Sequence, residues 1–152
     1  MKTLLPICVL CLAVLQSARA QFPPERLPDP RGRPVLGIWE IDRIASMVAK
    51  ASGHPLKGEI EVVDDLPGPA RVSGPIGNGR IQVRRADLRW IPANSWAFIL
   101  GHEFAHQTHG LHGKDAASEQ RADGIGARFA RAAGFKLDAH LAWMFAQPDR
   151  FS

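Results

Sequence analysis

The residues best suited to chemistry lie between positions 102 and 123. His102-Glu103-Phe104-Ala105-His106 sets two imidazoles four residues apart. On a helix, residues at that spacing lie one above the other, so both rings can reach a single metal ion. Glu103 projects from the neighbouring strip, where a carboxylate can accept a proton from a metal-bound water. A catalytic zinc takes three protein ligands and keeps one position for water. Glu119, 13 residues after His106, supplies the third ligand if the next helix folds back across Gly110-Leu111-His112-Gly113-Lys114. Asp123, one turn beyond Glu119, is then placed to accept the free ring N–H of a ligand histidine, His102 first, and to fix its tautomer. The expectation is one Zn2+ per chain on His102, His106 and Glu119, with Glu103 as the base.

His109 and His112 compete for the metal. The frame HExxHxxGxxH would use a later histidine, but here glycine stands at 110 and histidine at both 109 and 112, so the frame fails. Both read as loop or rim histidines. His54, before Pro55, reads as a solvated turn residue.

Several elements must position these groups. Leu36 to Ala51 carries Leu36, Trp39, Ile44, Met47 and Val48 near helical spacing, with Gly53 as a stop. Glu59 to Val63 and Arg80 to Arg84 alternate like strands, and the polar face of the second suggests a sheet edge. Asp64 to Gly79, broken by Pro67-Gly68-Pro69 and Gly74-Pro75, reads as a long turn-rich connection or a lid. Asn94 is placed to cap a helix from Ser95 to about His109, closed by Gly110. Asp115 is placed to cap another from Ala116 to Ala133, closed by Gly134, and Asp138 a short last helix to about Ala146. Strands first and helices later give an α+β domain, with a small, mainly antiparallel sheet packed against a helix bundle.

From about Ile76 to Ala142 the chain resembles the gluzincin metallopeptidases of the HtpX, CAAX prenyl protease and BepA type. The resemblance rests on Gly77-Asn78-Gly79-Arg80-Ile81-Gln82-Val83, on the apolar run Trp96 to Gly101 into His102-Glu103-Phe104-Ala105-His106, on Glu119-Gln120-Arg121-Ala122-Asp123-Gly124-Ile125-Gly126, and on Ala133-Gly134-Phe135. It implies a zincin-like fold in a minimal, soluble form (a minigluzincin) and zinc-dependent endopeptidase activity. By position it makes His102, His106 and Glu119 the ligands, Glu103 the base and Asp123 the orienting carboxylate. It also makes the strand of Ile81, Gln82 and Val83 the edge to which an extended substrate adds. The loop between His106 and Glu119 is much shorter than in that family, and neither the family's membrane spans nor a helical repeat domain follows.

Peptide hydrolysis builds negative charge on the carbonyl oxygen, and a donor beside the metal stabilises it. The chain has no tyrosine. His140 is the first candidate donor, with Arg128 and Arg131 behind it. The main functional expectation is a zinc metalloendopeptidase acting on extended or misfolded polypeptide. The rival is a non-hydrolytic, zinc-binding pseudo-peptidase that holds such chains. A structural metal clip between two helices leaves Glu103 without a reason.

Length and composition limit the alternatives. The 152 residues suit one domain. The 19 basic and 15 acidic side chains give a net charge of +4, scattered without a basic stripe, which argues against a nucleic-acid partner. Residues 1–20 read as a secretory signal peptide: Lys2, an apolar run from Leu4 to Leu15, then Ala18-Arg19-Ala20. The run is too short to span a bilayer. It contains Cys8 and Cys11, so its removal leaves a periplasmic or secreted chain without cysteine. Residues 21–34 hold Pro23, Pro24, Pro28, Pro30 and Pro34 and read as a proline-rich leader, followed by the metallopeptidase domain from 35 to 152.

Overall fold

The computed structural model describes residues 36–73, 79–111 and 115–147. The expected signal peptide and leader, Gly77-Asn78 and His112 lie outside the described residues. Four helices and a three-stranded sheet make the domain α+β.

Helix α1 (Ile38–Ser52) buries Ile41, Ile44, Ala45, Val48 and Ala49, the i, i+3, i+4, i+7, i+8 stripe of a helix with one apolar face. The Glu40 carboxylate accepts the Gly37 N–H at 2.6 Å and secures its start. Gly53, at φ 75°, ends it in the left-handed region. Trp39, expected on the apolar stripe, is instead exposed.

Strands β1 (Glu61–Val63), β2 (Ala70–Val72) and β3 (Ile81–Arg84) form a sheet in the order β1-β3-β2. β1 pairs parallel with β3, and β2 pairs antiparallel. The sheet is therefore mixed rather than mainly antiparallel. β3, expected at an edge, is the central strand. Its polar face reports only that one side of the sheet is solvated: Gln82 accepts from Arg71 at 2.7 Å and donates to Glu61 at 2.7 Å across that outer face. Ile81 and Val83 point the other way into the core. β2 lies inside the segment read as a turn-rich connection, so the described part of Asp64 to Gly79 contains a sheet strand. A short 3-10 helix at Arg85–Arg89 follows β3.

Helix α2 (Ala93–His109) is the hub, in contact with α1, β2, β3 and the two helices that follow it. Trp96, Ala97, Phe98, Leu100, Phe104 and Ala105 are all buried, so it is apolar nearly all round, as a core helix must be. Asn94 does not cap it. Asn94 sits within the first turn, and its Oδ1 accepts the Lys136 N–H at 2.9 Å, 42 residues away. Helix α3 (Ala116–Ala132) starts as expected, with Asp115 Oδ1 accepting the Ser118 N–H at 2.9 Å. Gly134, at φ 93°, closes it, and Phe135 N–H reaches back to the Ala130 carbonyl at 3.0 Å. Helix α4 (Leu137–Phe145) follows and contains no fully buried residue.

Candidate metal centre

Two glycines let α2 and α3 meet backbone to backbone. A Cβ placed on Gly101 would lie 2.6 Å from the Gly126 carbonyl oxygen, and one placed on Gly126 would collide with the His102 and Gly101 backbone. Glu119, Asp123 and Gly126 fall at i, i+4 and i+7 of α3, so the close crossing turns both carboxylates toward the histidine face of α2. Mid-helix glycine costs about 1 kcal/mol relative to alanine, and here the cost is offset by the approach it permits.

Three donor atoms converge at the crossing. His102 Nε2 lies 3.0 Å from His106 Nε2, and Glu119 Oε2 lies 3.2 Å from the first and 3.7 Å from the second. Ligand atoms held at about 2.0–2.1 Å around a tetrahedral Zn2+ are about 3.3 Å apart, close to all three distances. His102, His106 and Glu119 are the group among the described residues able to hold a metal ion. The histidine side chains are 21% and 13% exposed and Glu119 is 45% exposed, so the cluster opens to solvent past α3.

The other ring nitrogens fix the tautomers. His102 Nδ1 is 2.8 Å from Asp123 Oδ1, and His106 Nδ1 is 2.5 Å from the Leu111 carbonyl oxygen. Both partners are acceptors, so a proton on each Nδ1 satisfies them and leaves each Nε2 able to turn a lone pair toward a shared ion. Two imidazole nitrogens and a carboxylate oxygen so placed are a donor set that suits a divalent transition metal.

Glu103 is half-buried beside the cluster. Burial pushes its carboxyl above the usual carboxylate range. The charges of His102 and His106 and a hydrogen bond from the Val72 backbone oppose this, while Glu119 adds to it. The Val72 bond follows from the sheet register. Ser73 donates to the Arg80 carbonyl and Arg84 to the Pro69 carbonyl, each at 2.8 Å, so Ala70 and Val72 between them turn their N–H and C=O groups away from β3. The edge beside Glu103 therefore belongs to β2. Ile81, Gln82 and Val83, expected to receive an extended chain, have both backbone sides paired within the sheet.

His140 lies on α4, stacked flat on Phe98 with ring centroids 4.7 Å apart. Phe98 is one turn before His102 on α2. Burial lowers the His140 pKa, opposed by the Asp123 charge, and its Nδ1 is buried without a partner among the described residues. Arg128 and Arg131 are exposed on α3. His109 is outside the cluster: it is exposed, 2.8 Å from Thr108 Oγ1, and meets the exposed His54 edge-on at 6.1 Å.

The sequence reading missed the Leu111 carbonyl, the Val72 N–H and the Gly101–Gly126 crossing. Two glycines inside helical patterns were the one visible signal. Comparison with known proteins returned no matching family model, no matching curated protein and no matching solved structure. Among the described residues, no helix is long and apolar enough to cross a membrane.

Proposed function

We propose that this chain is a zinc-dependent metalloendopeptidase of zincin-like, minigluzincin form that hydrolyses peptide bonds in extended or misfolded polypeptides. The observation that carries this reading is the convergence of His102 Nε2, His106 Nε2 and Glu119 Oε2 within 3.7 Å of one another, with each Nδ1 against an acceptor oxygen. Glu103 beside them gives the cluster a base that a purely structural metal clip does not need. Zn2+ held by His102, His106 and Glu119 would supply Lewis acidity, lowering the pKa of a water toward about 7 and polarising a carbonyl.

The chain's own residues do the rest. Glu103 takes a proton from the attacking water and hands it to the leaving amine, and the upward shift of its pKa favours holding the proton between the two transfers. Asp123 and the Leu111 carbonyl hold the two rings in register. The outward N–H and C=O of Ala70 and the carbonyl of Val72 align an extended substrate along β2. His140 is the first candidate to donate to the developing oxyanion. The expected signal peptide puts the enzyme in the periplasm or outside the cell.

The rival reading is a zinc-binding pseudo-peptidase that holds chains without cutting them. Two observations favour it: there is no tyrosine, and the Nδ1 of His140 is buried without a partner among the described residues. Zinc content and caseinolysis of wild type and Glu103→Gln separate the two. One zinc in both, with cleavage reduced about 10²–10⁴-fold in the variant, supports the peptidase. One zinc with no cleavage by either supports the rival. No zinc in either removes the ligand assignment.

A further inference from the structure

Glu103 does not meet the sheet alone. Gln107, four residues on, lies on the same strip of α2. Its Nε2 donates to the Gly79 carbonyl at 2.8 Å, across 28 residues of sequence. Gly79 precedes Arg80, and Arg80 pairs with Ser73 at one end of the β2–β3 hairpin. The backbone is so close there that a Cβ on Gly79 would collide with the Ser73 carbonyl. Ser73 follows Val72, whose N–H goes to the Glu103 carboxylate. One strip of α2 therefore holds the same end of the hairpin by two hydrogen bonds, one helical turn apart.

The energetics of Gln107 speak for position rather than stability. It is 6% exposed, and its Oε1 is buried without a partner among the described residues. A polar atom so placed opposes folding. The hairpin does not need Gln107 to close. Ser73 donates its N–H and its hydroxyl to the Arg80 carbonyl at 2.8 and 3.0 Å, and Arg84 donates to the Pro69 carbonyl at 2.8 Å. Those bonds fix β2 against β3. They do not set how far β2 stands from the histidine face of α2. Glu103 is a poor sole tie for that distance, because a carboxylate that takes up a proton becomes a weaker acceptor. The Gln107 amide does not titrate.

We infer that Gln107 is a positioning residue, which clamps the Gly79 end of the hairpin to α2 and keeps the outward edge of β2 in register with Glu103 and the cluster of His102, His106 and Glu119. The clamp belongs to the fold whatever the site does; its effect on catalysis rests on the peptidase reading. Thr108, the next residue, bonds instead within α2, its Oγ1 donating to the Phe104 carbonyl at 2.8 Å, and serves as the control.

The test is site-resolved hydrogen exchange of the full 152-residue chain, with and without Zn2+, in wild type, Gln107→Met and Thr108→Val. In Gln107→Met the Val72 amide should exchange at least about tenfold faster. The Ser73 and Arg84 amides, bonded inside the hairpin, should change less than about threefold. Thr108→Val should leave all three as in wild type. Gln107→Asn, one methylene shorter, should reproduce the Gln107→Met pattern and replaces it if the methionine chain does not fold. Zinc affinity should stay within about twofold, while casein cleavage by the zinc-loaded variant falls about tenfold or more. Unchanged exchange at Val72 overturns the inference. Equal acceleration at Val72, Ser73 and Arg84 also overturns it, since Gln107 would then only hold the hairpin together. Cleavage equal to that of wild type removes the positioning role. If wild type cuts nothing while Val72 alone is released, the clamp stands and the peptidase reading falls.

Discussion

Gly126 packs against Gly101 so closely that a Cβ on Gly101 would stand 2.6 Å from the Gly126 carbonyl oxygen. Everything at the candidate centre depends on that approach, because Glu119 and Asp123 reach His102 from the same face of α3. Gly126→Ala should lower stability by about 1–3 kcal/mol through overpacking and weaken zinc binding at least about tenfold. Gly124 is the internal control. It lies two residues away in the same helix, and a Cβ placed there would meet nothing within 4 Å. Gly124→Ala should raise stability by about 0.5–1 kcal/mol through helix propensity. Urea midpoints and a chelator competition on both variants check the pair; equal behaviour would contradict the crossing.

Asp123 is largely exposed, so its bond to His102 should matter little to the fold and much to the metal. Asp123→Asn removes the charge and keeps the shape. Zinc affinity should fall about 10–100-fold with little change in the metal-free melting temperature. Competition with a chromogenic chelator measures the first and calorimetry the second. Asp138→Asn, a change on α4, should leave zinc affinity as it was.

The helices were legible from local chemistry: apolar spacing, Asp115 as a cap, and Gly53, Gly110 and Gly134 as stops. The meeting of His102, His106 and Glu119 was legible from their spacing on two such helices. The sheet order was not. Gln82 and Arg84 alternate with Ile81 and Val83, and that pattern reports which face is wet, not which backbone edge is paired. β2 was hidden for another reason: Ala70-Arg71-Val72 is too short to show a period between Pro67-Gly68-Pro69 and Gly74-Pro75. Asn94 shows the same limit in a helix. Its type is right for a cap, but tertiary context gives its carbonyl to Lys136.

Asn94→Ala should consequently act at the far end of the fold. The loss of one hydrogen bond costs about 1 kcal/mol, and it should appear as faster exchange at the start of α4 rather than as fraying of α2. Site-resolved hydrogen exchange distinguishes the two. Fraying confined to residues 93–96 would restore the capping role.

His140 gives the metal-free domain an acid-sensitive term. Burial holds its pKa below the ordinary imidazole value, so the native state prefers the neutral ring. The contribution is complete above the unfolded pKa of about 6.5. It is lost as pH falls from there through the folded value, because the unfolded chain takes up the proton first. His140→Phe keeps the stack on Phe98 and removes the titration. Its urea midpoint should fall less than that of wild type between about pH 7.5 and pH 5.5. Parallel curves would show that the ring is protonated in place at no cost.

The β2 edge makes a prediction that separates sheet from site. Val72 turns its N–H away from β3 and toward Glu103, so proline at 72 removes no ladder bond. Val83 is buried on the central strand, with its N–H and C=O turned toward β1. Val72→Pro should therefore keep the fold, whereas Val83→Pro should unfold it. Within the folded Val72→Pro chain, Glu103 loses a donor that favours its charged form. Its carboxyl should titrate at higher pH than in wild type, by a ¹³C NMR titration of the metal-free protein. If the proposed base is working, the acid limb of the cleavage profile should move upward with it. A limb that stays in place while the Glu103 carboxyl shifts would assign the base to another group.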